Sequence, residues 1–424
     1  MSMRREVVIT GLGVVSPIGC DVAELVSQVS AGRSGIRLCE PKWLQKKFPA
    51  GVVQRSFASE FTKLELPFLD RCAQLAIVAS KQAIADAGLV DFSGCKQRAG
   101  LYYGTVIGGA ETAQFGYEQM LIERKNARPF AMMAMMHNAG AAQISIRHQI
   151  LGPVITYSTA CASSGNAIGE AVRAVRDGYV DIAVAGGAEA PLTPATFNGF
   201  DASRALAAPD KLDVERSCRP FAKDRAGLVI GEGAAFVVIE SVEHAKRRGA
   251  PCYAALTGYG IAADGYHIGS PKAEGEATAL RLAIDDAGLT PGDIGYYNAH
   301  ATATRGGDAV EANAIRLAFG DAAQSLPVSS TKSLHGHLLG AASALELVIT
   351  VLAMTESFLP ATAYLDEIDP ECGLNHVANS PVFDRQIEHA MSFSSGFGGT
   401  NVALVISKHR EMPAKRPSNP VLSG

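Results

Sequence analysis

Val154-Ile155-Thr156-Tyr157-Ser158-Thr159-Ala160-Cys161-Ala162-Ser163-Ser164-Gly165-Asn166-Ala167-Ile168-Gly169-Glu170-Ala171-Val172 is the stretch that decides how this chain is read. An apolar, β-branched run, 154–160, stops at a cysteine, and a helical stretch of small residues starts there. The helical pattern runs to Asp177 with Gly178 as its stop, and 180–185 is a second buried-strand pattern. Strand, helix, strand in this order is a βαβ unit of an α/β fold. A thiol at the turn from strand into helix meets unpaired amides and the positive end of the macrodipole, which favour the thiolate. Ala160, Ala162, Ser163, Ser164 and Gly165 leave room for a substrate. That is the pattern of an activated nucleophile. The same pattern also fits a buried structural cysteine, the role expected for most of the other seven.

Outward from this unit the alternation continues. Strands are expected at 7–11, 100–104, 234–240, 254–262, 295–298, 327–330, 391–393 and 401–407. Helices are expected at 68–87, 277–287, 309–319 and 340–354. The basic, Gly/Pro-marked stretch Lys246-Arg247-Arg248-Gly249-Ala250-Pro251 divides the chain into 1–250 and 251–408. Similar α/β content on both sides suggests two like halves, although no repeat is evident. The tail 409–424, with Pro413, Pro417 and Pro420, is expected to be disordered.

Composition narrows the function classes. A chain of 424 residues, 47% of them hydrophobic, buries a large core. A net charge of −4 argues against nucleic acid or a polybasic membrane contact as partner. No apolar run reaches membrane-spanning length. The N-terminal apolar run breaks at Gly11 and Gly13, so it reads as a strand and not a signal peptide. The eight cysteines (Cys20, Cys39, Cys72, Cys95, Cys161, Cys218, Cys252, Cys372) form no CxxC and no Cys/His cluster of zinc spacing. A reducing cytoplasm fits them.

Three further segments carry chemistry. Asn298-Ala299-His300-Ala301-Thr302-Ala303-Thr304-Arg305-Gly306-Gly307-Asp308 follows a strand, so His300 stands at a strand's C-terminal end, the usual site edge of an open α/β sheet. Ser329-Ser330-Thr331-Lys332-Ser333-Leu334-His335-Gly336-His337-Leu338-Leu339-Gly340 places a lysine and two histidines in a turn before an apolar helix. Ser394-Ser395-Gly396-Phe397-Gly398-Gly399-Thr400-Asn401 is a Gly-rich turn between strands, suited to presenting N–H groups to an oxyanion. A lone histidine after a strand is also a common structural residue. The His335-Gly336-His337 pair lacks the further ligands of a metal site. Gly398-Gly399 lacks the strand-to-helix setting of a phosphate loop, and Gly11-Leu12-Gly13 lacks the third glycine of a dinucleotide fingerprint.

Together these motifs resemble the signatures of the β-ketoacyl-acyl carrier protein (ACP) synthases, synthase II most of all. Ala185-Gly186-Gly187-Ala188-Glu189, Arg219-Pro220-Phe221 and Gly231-Glu232-Gly233 extend the likeness, which runs from Val7–Pro17 to about Ser407. The resemblance implies a thiolase fold, two similar α/β halves forming a five-layered α-β-α-β-α core, usually a homodimer, with heterodimers known. It implies no cofactor and no metal. Cys161 would take the acyl chain, with its own N–H and that of Phe397 as oxyanion hole. His300 and His337 would hold the enolate left when malonyl-ACP loses CO₂. The product would be a 3-oxoacyl-ACP two carbons longer, in fatty-acid or polyketide assembly. Lys332 would act electrostatically with Glu346 or Glu311 as its partner, and Asp308 and Glu311 would belong to the same outer network. Thr302 and Thr304 would bind the pantetheine arm, Phe397 and Gly398 would border the acyl entrance, and Ile107 would limit acyl depth. The cluster Met132, Met133, Met135, Met136 reads as core packing, including packing at a dimer seam, or as a malleable acyl pocket. The partner would be an acidic carrier, steered by a basic rim drawn from Lys63, Arg124, Lys125, Arg128 and Arg204. A non-catalytic chain-length factor of the same fold is the rival, but such subunits lack the cysteine. A thiolase-type enzyme would need a second cysteine, which 396–400 lacks.

Around Pro67-Phe68 the basic pair that commonly meets an acidic carrier helix is missing, and three single positions also depart from the family pattern. Ala301 stands for a usual glycine, His335 for a usual threonine and Ser395 for a usual aromatic. They bear on substrate choice rather than on reaction class.

Overall fold

The computed structural model describes residues 4–417. Its main strands are β1 (Val7–Val15), β2 (Ala99–Gly104), β3 (Val154–Tyr157), β4 (Ile182–Glu189) and β5 (Gly233–Ser241). They continue with β6 (Ala254–Ala263), β7 (Tyr296–Asn298), β8 (Pro327–Ser329), β9 (Asn375–His376), β10 (His389–Gly396) and β11 (Thr400–Ser407). Among the described residues these strands form one sheet in the order β9-β8-β7-β10-β11-β6-β1-β5-β4-β2-β3.

The order hides a duplication. In β1–β5 the third, second and fourth strands are parallel, and the fifth and first follow antiparallel. Setting aside the two-residue β9, strands β6, β7, β8, β10 and β11 repeat that order and those directions. The two sets meet only where β1 pairs with β6, at Val8 opposite Ala255 and Ile9 opposite Ala254.

Five helices make the layers: α1 (Arg71–Asp86), α2 (Ser163–Arg176), α3 (Ala273–Asp286), α4 (Arg305–Phe319) and α5 (Ala342–Thr355). α1 covers the outer face of the first set, α3 and α4 that of the second, and α2 and α5 lie between them. Three buried apolar clusters correspond to these three helical layers. This is the five-layered thiolase arrangement. Glycines permit the tight helix–strand contact in each half. A Cβ on Gly11 or Gly13 would lie 2.2 or 2.0 Å from the carbonyls of Ala83 or Ala79 in α1. A Cβ on Gly258 or Gly260 would meet Ala283 or Ala279 of α3 at 2.2 and 2.0 Å.

Most expected elements sit where the pattern placed them, with shifted ends. α1 starts at Arg71 because the Asp70 carboxylate caps the Cys72 N–H at 2.9 Å. β3 ends at Tyr157, short of the expected 160, because Ala160 takes a positive φ of 51°. Helices Val22–Ser30, Ala110–Leu121, Ala131–Met135 and Ala139–His148 were not anticipated.

The expectation of a disordered tail needs correction for 409–417; residues 418–424 lie outside the described residues. Met412 is buried against Val8, Val242 and Cys252. The Cys252 N–H donates to the Pro413 carbonyl at 3.0 Å, and the Lys415 N–H donates to the Cys252 carbonyl at 2.8 Å. Lys415 Nζ reaches the Thr10 carbonyl and the Asp86 carboxylate, both at 3.0 Å. Proline lacks a donor but its carbonyl still accepts, so a Pro-rich segment can lie against the sheet. Among the described residues no helix is long and apolar enough to cross a membrane.

Candidate active site

The turn carrying Cys161 is built to hold one shape. Ala160 sits in the left-handed region, which costs a non-glycine residue roughly 1–2 kcal/mol. Ser163 secures the bend: its hydroxyl donates to the Ala160 carbonyl at 2.6 Å and accepts the Thr159 N–H at 2.9 Å. Gly396 presses on the other side, where a Cβ would fall 2.7 Å from the Thr159 carbonyl and 3.2 Å from the Cys161 nitrogen. Cys161 is thus displayed just before the N-cap of α2, and it is 8% exposed.

The second half brings its residues to the same point. His337 Nε2 lies 2.9 Å from Cys161 Sγ. The His300 and His337 rings meet edge-to-face, centroids 5.4 Å apart, and one nitrogen of each falls within 4.8 Å of the other and of Sγ. The Phe397 N–H points at the sulfur from the β10–β11 turn. His300 hangs from β7, and His337 follows β8, whose position in the second half matches that of β3 in the first. The helices behind them are tied together: the Ala344 N–H donates to Ser164 Oγ at 3.0 Å, and Ser343 Oγ donates to the Cys161 carbonyl at 3.2 Å.

The electrostatics follow from burial. Lys332 and Glu346 are wholly buried and form an ion pair, which decides between the two partners expected for the lysine. Burial, with the Lys332 cation next, holds His300 and His337 well below the ordinary imidazole range, so both are neutral. Burial pushes the Cys161 thiol up to about 12, against the pull of Lys332 and the Phe397 N–H. Cys161, His300 and His337 are close enough to share a cation, but the buried Lys332 charge beside them opposes a second positive charge there.

Glu311 has its own task. It accepts the N–H groups of His300 and Ala301 at 2.9 and 2.7 Å and the Tyr297 hydroxyl at 3.1 Å, fixing the turn that aims His300. Asp308 accepts the Phe221 N–H at 2.8 Å beside Arg225. Burial raises Asp308 to about 6 and Glu311 to about 7.

A cavity of about 510 Å³ opens from Cys161 to the surface, lined by His300, His337, Thr302, Thr304, Phe397 and Gly398 among others. Thr302 and Thr304 face each other there, Oγ1 to Oγ1 3.2 Å, and Phe397 is half-exposed at the mouth. Ile107 does not line this cavity. It packs with Phe200, Leu206 and Leu339 behind its apolar wall. Met132, Met133 and Met136 are exposed and none of the four methionines lines the cavity, so they are not part of this chain's own core. Of the expected basic rim only Arg204 borders the cavity; Arg128 instead bonds Thr112 and lines a different cleft. Sequence reasoning missed Glu189 as an organiser. It accepts the N–H groups of Val106, Ile107 and Gly340 at 2.7–3.0 Å, joining the β2 turn to the start of α5. Its place at the end of Ala185–Glu189, an acid closing a buried strand, was the available signal.

A strand-to-helix cysteine, two neutral imidazoles and an amide donor, split between the halves of a thiolase fold, define a thiol-dependent acyl-transfer enzyme. The family model for the β-ketoacyl synthase N-terminal domain matches residues 4–245, and that for the C-terminal domain matches 253–366. The chain belongs to the β-ketoacyl synthase family. It is 41% identical over 417 residues to 3-oxoacyl-[acyl-carrier-protein] synthase 2 of Staphylococcus aureus (strain COL), covering 96% of this chain and 99% of that one. It resembles the ishigamide ketosynthase/chain length factor (TM-score 0.89, 33% identity, 96% of this chain and 100% of that chain). It also resembles a type II polyketide ketosynthase solved with its acyl-carrier protein and a bound hexaketide (TM-score 0.88, 29% identity, 96% and 100%).

Proposed function

We propose that this protein is a 3-oxoacyl-ACP synthase, catalysing decarboxylative condensation of an acyl thioester with malonyl-ACP. The observation that carries this reading is the 2.9 Å contact between Cys161 Sγ and His337 Nε2 in a cavity shared with His300 and Phe397. The Cys161 sulfur attacks the acyl thioester carbonyl; as the C–S bond to the carrier breaks, the proton of the Cys161 thiol passes to the departing carrier sulfur and the carrier leaves as its thiol. The Cys161 and Phe397 N–H groups hold the oxyanion. Malonyl-ACP then enters, its C–C bond to the carboxylate breaks, and CO₂ leaves. The neutral His300 and His337 donate to the enolate oxygen. The enolate carbon attacks the acyl-Cys161 carbonyl, the C–S bond to Cys161 breaks, and the departing sulfur takes up a proton from solvent, which restores the thiol. Burial keeps the imidazoles neutral, and Lys332, paired with Glu346, adds to that effect and lowers the thiol's resistance to ionisation.

The carrier is an acidic ACP, met by the exposed Arg204, Lys272 and Arg305 beside cavity-lining residues. The enzyme works in the cytoplasm, where its eight free cysteines are stable, and as a dimer, homodimeric or with a chain-length partner. The exposed Val154 and Ile155 on edge strand β3 supply an apolar face for that pairing.

The test is intact mass after incubation with acyl-ACPs of rising chain length. A single acyl adduct on Cys161, discharged by malonyl-ACP, is the expected result. Cys161→Ala should lose the adduct while still releasing CO₂ from malonyl-ACP. Normal condensation by Cys161→Ala would end this mechanism.

A further inference from the structure

The cavity holds one acidic group that the condensation above does not use. Glu276 is the fourth residue of α3 and is 2% exposed, yet it lines the same cavity as Cys161 and His300. Its Oε2 has no hydrogen-bond partner. Around it stand Ser395, Glu311 and Asp264. Ser395, a small polar residue, donates to Asn401 Oδ1 at 2.7 Å. Burial, and then the neighbouring Glu311 and Asp264, hold the Glu276 carboxyl far above its ordinary range. It is therefore a neutral acid, able to donate a hydrogen bond.

The cavity walls differ in chemistry. Residues 200–228, with Leu339, supply Phe200, Leu228 and Leu339, members of the apolar cluster that also contains Ile107. The 276–311 and 395 side supplies Glu276, Thr302, Thr304, Glu311 and Ser395. An acyl chain partitions to the first wall. Of the groups that the reaction brings in, the free carboxylate of the malonyl thioester is the strong acceptor, and it must sit beside the carbon that attacks acyl-Cys161.

We propose that Glu276 donates a hydrogen bond to the malonyl carboxylate and so selects the carboxylated extender over an acetyl thioester. This rests on the condensation reading. An ionised carboxylate at that place would repel the extender, whereas the neutral acid binds it. Loss of CO₂ removes the acceptor, so the contact serves binding rather than the later carbon–carbon step.

Two variants separate the idea from simple packing. Glu276→Gln keeps shape and a donor; Glu276→Ala removes both. Acylation of Cys161 is followed by mass, and malonyl-ACP use by CO₂ release and steady-state KM. For Glu276→Ala the malonyl-ACP KM should rise roughly tenfold, while Cys161 acylation changes less than twofold. Glu276→Gln should stay within about threefold of the parent in KM. The proposal falls if Glu276→Ala leaves the KM in place, if it slows both half-reactions equally, or if Glu276→Gln matches Glu276→Ala. A parent enzyme that never acylates Cys161 would bring down the condensation reading and this one with it.

Discussion

His335 shows how one side chain turns burial into pH dependence. It is fully buried behind His337, with Nδ1 2.7 Å from the Gly336 carbonyl and Nε2 3.0 Å from Thr331 Oγ1. Burial, and then Lys332, lower its pKa from 6.5 to about 3. A lowered imidazole pKa means that the unfolded chain binds the proton more readily. The stability it confers is complete above about pH 6.5 and is lost as pH falls toward about 3, at about 1.4 kcal/mol per pH unit. His300 and His337 act in the same direction, whereas Asp308, Glu311 and Glu346, with raised pKa values, act oppositely below neutrality. His335→Thr removes one contribution only. Urea unfolding of both proteins from pH 6 to pH 4 should show the parent losing stability faster by about 1.4 kcal/mol per pH unit. Parallel curves would mean that His335 is protonated in the folded state. At this scale the sequence was informative where chemistry is local: Cys161, His300, Lys332, His337 and Phe397 each sit in a short readable motif. Glu276 was not readable, because the groups around it lie far away in sequence and helix position alone did not mark it, while Glu189 left only the fainter signal of an acid closing a buried strand.

At the scale of elements, the decisive object is the bend between β3 and α2. A β-branched run giving way to small residues announced it, but nothing local announced that Gly396 of β10 would brace it from behind. A Cβ there cannot be accommodated without moving the Thr159–Cys161 backbone. Displacements of about 1 Å in a reacting group cost roughly 100-fold in rate. Gly396→Ala should therefore slow Cys161 acylation by about 100-fold, while costing about 1–3 kcal/mol in stability. Acylation at the parent rate, measured by quenched-flow mass analysis, would show that the bend tolerates the push. The termini of elements were less legible than the elements themselves. β3 stops early because Ala160 takes a conformation that the Ser163 hydroxyl and Gly396 impose and that alanine does not prefer on its own.

For the whole molecule, the duplicated strand order is the main fact, and the sequence carried a faint trace of it. Gly11-Leu12-Gly13 and Gly258-Tyr259-Gly260 occupy the first strand of each half and receive α1 and α3 in the same way. The spacing was visible, but the rest of each half has diverged too far for a repeat to stand out. The halves join through a short strand pairing and through the packed α2 and α5, and 409–417 add contacts across the strand seam. Met412→Ala should lower the unfolding free energy by about 2 kcal/mol in urea titrations. An unchanged midpoint would show that this segment does not hold the seam.

The division of the site between the halves also orders events during synthesis. The ribosome releases Cys161 first, and the nascent N-terminal half can fold around it. His300 and His337 follow, and the amide of Phe397 comes last. Until they arrive, the thiol stands without the two imidazoles and without one of the two N–H groups that hold the oxyanion. A chain abandoned midway therefore carries the nucleophile without the groups that complete its site. It cannot carry out the condensation, which needs both halves.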